Sequence, residues 1–371
     1  MLRKIQTCLA VSVFGSALFL GFAGDAQAIE GLKFYGDARA RFEMDDRTRL
    51  TGGVYEDQDR DRFRYRLRVG LTYAPVEQVE VGARVTSGDT TDANSPHVIL
   101  GSNNNSDGGT AGLSRDSIGI DRIYVKYKYQ NAKYEDLSAF AWFGKETMPM
   151  WTQNEYFWDG DINPEGIAGG VTYKNLGPVD VTIQGGYFVV DEGSWYTSAQ
   201  GDQDADLISY QAVVKAGFEP VDITASYGVI KTDAGTSIRS QNPLTTVKAD
   251  YSLASIEAKI KAIPDIGITV GYDYMQSDAD TLDKGSVISV GANWKGLSFT
   301  VLRPDIETNA VSGFAQDDFP NYFSNFKGFE YRIGYKISKN MNADIRRYDA
   351  ERKTDSRQEE SRTQFNVNVS F

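Results

Sequence analysis

RFRYRLRVGLTY, residues 62–73, puts Phe63, Tyr65, Leu67, Val69, Leu71 and Tyr73 at every second position, with Arg62, Arg64, Arg66, Arg68, Gly70 and Thr72 between them. A helix would scatter these arginines around its circumference, whereas an extended chain sends successive side chains to opposite faces. The stretch therefore predicts a β-strand with one apolar face and one arginine face. Upstream, residues 32–43 repeat the pattern without a break. Leu32, Phe34, Gly36, Ala38, Ala40 and Phe42 share one face, and Lys33, Tyr35, Asp37, Arg39, Arg41 and Glu43 share the other. Alternating segments of about 10 residues mark strands that cross a membrane with one face to lipid and one to water.

The pattern recurs along the chain. It predicts strands near 32–46, 61–75, 79–88, 118–130, 136–146, 165–175, 178–192 and 206–218, then near 221–232, 245–262, 265–277, 285–295, 297–307, 328–338, 341–353 and 361–371. Short links at Pro75–Gln78, Asn175–Gly177, Glu219-Pro220, Pro264-Asp265, Lys295-Gly296 and Lys339-Asn340 alternate with long ones around 47–60, 89–117, 147–164 and 308–327. That is the connectivity of an all-β, antiparallel, up-and-down transmembrane barrel of about 16 strands, with short periplasmic turns and long extracellular loops. Two misread strands would make it 14 or 18. The apolar phase changes between Leu253 and Ile256, as a β-bulge would produce.

Composition narrows the function classes. The 371 residues include 36 Gly, 21 Tyr and 19 Phe but one Cys and one His, which suits aromatic-rich strands and argues against His- or Cys-based catalysis, metal sites and disulfides. With 39 Lys+Arg against 51 Asp+Glu, nothing in the net charge of −12 suggests a nucleic-acid partner. Residues 1–28 read as a cleaved signal peptide: Arg3 and Lys4 precede an apolar stretch from Leu9 to Ala23 that ends in Ala26-Gln27-Ala28. Losing Arg3, Lys4, Asp25 and Cys8 leaves 37 basic and 50 acidic residues, a charge of −13, and no thiol. Residues 29–371 then form one barrel domain, and they hold no apolar run long enough for a transmembrane helix.

The last strand is the most specific signal. Thr363, Phe365, Val367, Val369 and the terminal Phe371 make one apolar face. An amphipathic final strand ending in Phe resembles the assembly signal of Gram-negative outer-membrane proteins. The resemblance implies location in that membrane, insertion by the barrel-assembly machinery, and contact with outer-membrane lipid and lipopolysaccharide. GLKFYGDARARFE, DRFRYRLRVGLTY and VEVGARVTSGD also resemble the first strands of the "putative porin" families, which implies a homotrimer.

Sixteen strands enclose a lumen too wide for wall side chains to fill, so a water-filled channel for small hydrophilic solutes is the default. Strands one to three turn Lys33, Arg39, Arg41, Arg62, Arg64, Arg66, Arg68 and Arg84 to that lumen. Guanidinium groups stay ionised and donate fixed forks of hydrogen bonds, so the wall favours carboxylates, phosphates or sulfates, a weak lean to anions. The bland reading is a solvated wall neutralised by carboxylates such as Asp37 and Glu80. The long connection Thr147–Gly166 sits where general porins carry an in-folded constriction loop, and by that resemblance Glu155, Asp159 and Asp161 project into the pore. Its alternative is an external loop held at the rim by Trp151, Tyr156, Phe157 and Trp158.

Asp159, Asp161, Asn163 and Glu165 imitate the start of a calcium loop, but Pro164 stands where the required Gly would be, and Gly170 where the Glu would be. The sequence implies no metal and no cofactor. An outer-membrane enzyme would need a His set with Asp or Ser, and His97, in a long loop, reads as incidental. The remaining rival is a non-conducting barrel serving as adhesin, receptor or sheath for an electron-transfer partner.

Overall fold

Period-two alternation does become a barrel wall. A computed structural model describes residues 29–90, 94–101, 116–130, 136–191, 205–234, 250–263, 265–311 and 324–371; the signal-peptide reading of residues 1–28 lies outside them. Among the described residues there is no helix. In chain order the strands are β1 (Leu32–Thr51), β2 (Val54–Val76), β3 (Val79–Ser87), β4 (Val98–Ile99), β5 (Ile118–Gln130), β6 (Leu137–Lys145), β7 (Glu165–Leu176), β8 (Val179–Asp191) and β9 (Ala205–Phe218). They continue as β10 (Val221–Ala234), β11 (Asp250–Ile263), β12 (Ile266–Ser277), β13 (Lys284–Trp294), β14 (Leu297–Ile306), β15 (Phe326–Lys336), β16 (Met341–Arg352) and β17 (Asp355–Ser370).

All pair antiparallel with their chain neighbours, and β17 closes on β1 with Asp37 opposite Ser370 and Arg47 opposite Glu360. Only the two-residue β4, paired to β2 at Arg64 and Tyr65, is not a wall strand of its own, so the closed barrel has sixteen strands. Closure leaves no edge to satisfy, which is what a sheet in lipid requires.

The outer face carries the large exposed apolar side chains, among them Phe34, Leu67, Val69, Ile120, Ile183 and Val290. In water this belt would be a liability; in hydrocarbon it is the solvated surface. Near the short turns the exposed residues become aromatic: Tyr73, Tyr127, Tyr173, Phe218, Trp294 and Tyr335 stand a few residues from them and form a girdle at one interface.

Two turns show how local chemistry sets register. Lys295 (φ 46°) and Gly296 (φ 87°) both lie in the left-handed region, the two-residue geometry that matches strand twist. Gly52 (φ 58°) and Gly53 (φ 89°) do the same at the other end, and there the structure corrects the sequence reading. The expected loop over 47–60 is instead a continuation of both strands, paired as far as Thr51 opposite Val54. Above the lipid the outer face need not be apolar, so alternation fades while the ladder continues. Cross-strand bonds from Arg47 Nε to Gln58 (2.9 Å) and Thr48 Oγ1 to Asp57 (2.8 Å) support it.

A second correction concerns β11. The register runs unbroken from Leu253 through Ile256, so no bulge lies there. Leu253 faces inward, 1% exposed, and Ile256 faces outward; the inner wall is simply apolar at this point.

Candidate functional site

What makes the inner wall apolar is the connection after β6. Residues 146–164 turn into the lumen, and Tyr156, Phe157 and Trp158 are all at least nine-tenths buried against the inward face of the strands. They pack in one cluster with Leu207, Leu253, Met275, Val287, Leu302 and Phe326, drawn from β9 to β15. Polar anchors fix the crossing. Trp151 N donates to Gln211 Oε1 (2.7 Å) while Gln211 Nε2 donates to Trp151 O (2.8 Å). Gln153 Nε2 donates to Asp273 Oδ1 (2.8 Å), Asn154 also donates to Asp273, and Tyr156 OH donates to Glu330 (3.0 Å). The aromatic side chains thus hold the loop to the inside of the wall, not to the rim.

On the opposite side the loop meets arginine. Asp161 pairs with Arg68 Nη1 (2.8 Å) and Arg66 Nη1 (3.4 Å), and both guanidinium groups also bond to Asp37, at 2.7 and 2.8 Å. Asp159 accepts from the backbone N–H of Asp161 (2.8 Å), a local turn that aims the chain at the wall. Between loop and wall lies a cavity of about 250 Å³. It is lined by Arg39, Arg41, Arg66 and Arg68 of β1 and β2, Arg84 of β3, Arg122 of β5 and Arg346 of β16. Glu155, Asp159 and Asp161 face them, together with His97, Tyr348 and Gln364.

Five of the eight basic residues singled out in the sequence, Arg39, Arg41, Arg66, Arg68 and Arg84, therefore meet at this cavity with all three loop acids. The other three do not. Lys33 is exposed near the turn end of β1. Arg62 and Arg64 do not line it but reach Glu43, a fully buried carboxylate that also touches Arg362 and the lining residues Arg41 and Gln364. Its neighbour Asp45 is held by Arg60 (2.9 Å) and Arg362.

Arg122, Arg346 and His97 are among the lining residues that the sequence did not assign to the lumen. Arg122 comes from a real bulge: between Arg84–Arg122 and Val85–Ile120 the register slips by one, so Asp121 and Arg122 both turn inward. The signal was present, since apolar outward positions run Ile118, Ile120 and then Ile123, Val125. Arg346 sits on β16, where alternation is diluted by charge on both faces. His97 is 8% exposed and folds into the barrel with Ser95, whose Oγ lies 3.5 Å from Nδ1, so this part of the 89–117 connection is not an external loop.

At the end of the chain, Phe365 stacks beside Phe42 (6.3 Å). Phe371 exchanges two backbone bonds with Gly36, 3.0 and 3.1 Å, and lays its ring where a Cβ on Gly36 would stand.

Comparison with known proteins agrees with this geometry. The sequence pattern of the family described as "Putative porin" matches residues 42–221, just under half of the chain. No curated protein matches the sequence. Among solved structures, Pseudomonas putida OprB superposes with a TM-score of 0.55 at 12% identity, covering 92% of this chain and 94% of that one. Salmonella typhi OmpF, solved in complex with daunomycin, gives 0.52 at 12% identity, covering 92% and 97%. In fold and in family signature, the chain resembles the "putative porins" of the Gram-negative outer membrane.

Proposed function

We propose that the chain is an outer-membrane porin whose water-filled lumen passes small hydrophilic solutes, narrowed by the 146–164 loop and with a weak preference for anions. The observation that carries this reading is the juxtaposition at the cavity: seven arginines face three carboxylates across the narrowed lumen. Fixed charges at a constriction outweigh loop charges beyond a Debye length of roughly 10 Å at 0.1 M salt, so the acidic total of the chain does not set the preference. Pore lining is thus assigned to Arg39, Arg41, Arg66, Arg68 and Arg84, and the constriction to Glu155, Asp159 and Asp161. Lys33, Arg62 and Arg64 line or support the wall at a distance.

The same reading assigns export through the 1–28 signal, and assembly through the face of Phe365, Val367, Val369 and Phe371 by the barrel-assembly machinery. It also assigns lipid and lipopolysaccharide contact along the outer wall, and a homotrimer. Fold and family point to a channel rather than an enzyme. Single-channel recording in a planar bilayer tests it: discrete conductance steps with a reversal potential on the anion side in a KCl gradient are expected. A folded barrel that never conducts would favour the sheath or receptor reading instead.

A further inference from the structure

Resting on that channel reading and deepening it, we propose that Gly271, Asp273 and Ser289 form a socket on the inner wall that takes Gln153 and Asn154, and so positions Glu155 as the loop charge that tunes ion selectivity. Three observations carry the assignment. The first is room. Besides Asp273, Gln153 Nε2 donates to the backbone carbonyls of Ile256 (2.9 Å) and Tyr272 (3.1 Å), and Ser289 Oγ donates to Gln153 Oε1 (3.0 Å). One loop side chain thereby ties β11, β12 and β13 together. Ser289 stands opposite Gly271 in register, and a Cβ built on Gly271 would overlap Gln153 Oε1. The φ of Gly271 lies outside the left-handed region, so the backbone does not require glycine there; what the glycine supplies is space for the amide.

The second is a buried charge. Asp273 is 2% exposed and makes no ion pair among the described residues. Its oxygens are held by the neutral amides of Gln153 and Asn154 instead. Glu330, the other carboxylate that anchors the loop, has Arg332 beside it. A carboxylate buried without a counter-ion is costly, so its place in a largely apolar wall answers to what it aligns, the two loop amides.

The third is what that alignment presents. Asn154 donates Nδ2 to Asp273 and accepts at Oδ1 from the backbone N–H of Tyr156 (3.0 Å), a turn that fixes residues 154–156 on the wall with Glu155 at its apex. Glu155 lines the cavity and, unlike Asp161, makes no ion pair among the described residues. The charge of Asp161 is shared with Arg66 and Arg68; that of Glu155 acts on passing ions and keeps the anion preference weak.

The test uses the full-length barrel in a planar bilayer under a KCl gradient. Gly271→Ala should expel the Gln153 amide, swing Glu155 away from the passage and shift the reversal potential towards anions. Glu155→Gln should shift it the same way, and adding Gly271→Ala should then shift it no further, because the charge that the socket positions is gone. An unchanged reversal potential in Gly271→Ala, or a second shift on top of Glu155→Gln, would overturn the assignment while leaving the porin intact. A barrel that never conducts would sink the channel reading. Urea unfolding of the detergent-folded protein then decides the socket alone: Gly271→Ala should lower the midpoint of the parent protein and leave that of Gln153→Ala in place, and an equal loss in both would refute it.

Discussion

The two halves of the inner wall solve the same problem in opposite ways. From β9 to β15 the inward positions include Leu207, Leu253, Met275, Val287, Leu302 and Phe326, with the polar anchors Gln211, Asp273 and Glu330 among them, capped by the aromatic side chains of the in-folded loop. On β1, β2, β3 and β17 they are Arg41, Glu43, Asp45, Arg64, Arg66, Arg84 and Arg362, buried among one another. One half is filled by an apolar cluster pinned by a few hydrogen bonds, the other by charge pairing beside a cavity. The difference shows why a wide barrel need not be polar all round inside: a loop that crosses the lumen lets half the wall pack as a core and leaves the passage on the charged side.

The largest test of this contrast removes the hub of the charged half. Replacing Glu43 by Leu removes the carboxylate shared by Arg41, Arg62, Arg64 and Arg362, leaving Asp45 to Arg62 and Arg362, and breaking a buried pair from one side costs about 3–5 kcal/mol. Urea unfolding of the detergent-folded barrel should show a loss of unfolding free energy of that order, with the midpoint lowered; an unchanged midpoint would mean the network is solvated rather than buried.

The apolar half is next. Trp158→Ala and Tyr156→Ala each delete a large side chain from the cluster, typically about 3–5 kcal/mol in a packed core, but here the loop absorbs much of the loss by detaching. Conductance should rise and protease cleavage within 147–164 should appear, with the barrel still heat-modifiable on gels. If conductance stays at the parent value, the loop does not narrow the passage.

Between the halves lies selectivity. Arg66→Gln with Arg84→Gln should move the reversal potential in a KCl gradient towards cations, whereas the same change at Lys33 should leave it in place, because only the first two line the cavity. Equal shifts would return the arginines to the bland reading of a solvated wall.

The smallest effect lies above both halves, where the long β1–β2 hairpin is tied to β17. Tyr55 OH donates to Asp355 (2.6 Å), and with Gln358 and Arg357 this holds the Asp355 carboxyl down to about 2. A depressed carboxyl contributes stability that is present above its unfolded value of about 3.9 and is lost as pH falls through about 2. Tyr55→Phe should move the Asp355 titration, read by NMR, back up towards the ordinary range, with no change in conductance at neutral pH.

Most wall strands were legible because lipid demands an apolar outer face, and that demand repeats every two residues. The hairpin over 47–60 was not, since above the membrane nothing enforces the alternation. The arginine wall was legible as a face but not as a partnership: Arg62, Arg64 and Arg66 are consecutive on one side of one strand, yet the first two serve Glu43 and only the third reaches the cavity. Register with β1 and the reach of the loop divide them, and neither is written in their spacing.

Two phase slips mark the boundary. Between Ile120 and Ile123, and between Leu253 and Ile256, the apolar positions shift by one residue in the same way. The first is a bulge that turns Asp121 and Arg122 inward together; the second is a regular strand with an apolar inner face under Trp158 and its neighbours. An antiparallel barrel with one face in lipid follows from the order of residues alone, because the solvent outside imposes a local, periodic rule. Which slip bends the strand and which receives a loop was decided only by the tertiary structure, because the solvent inside is other parts of the same chain, brought there by long-range contacts that no local period encodes.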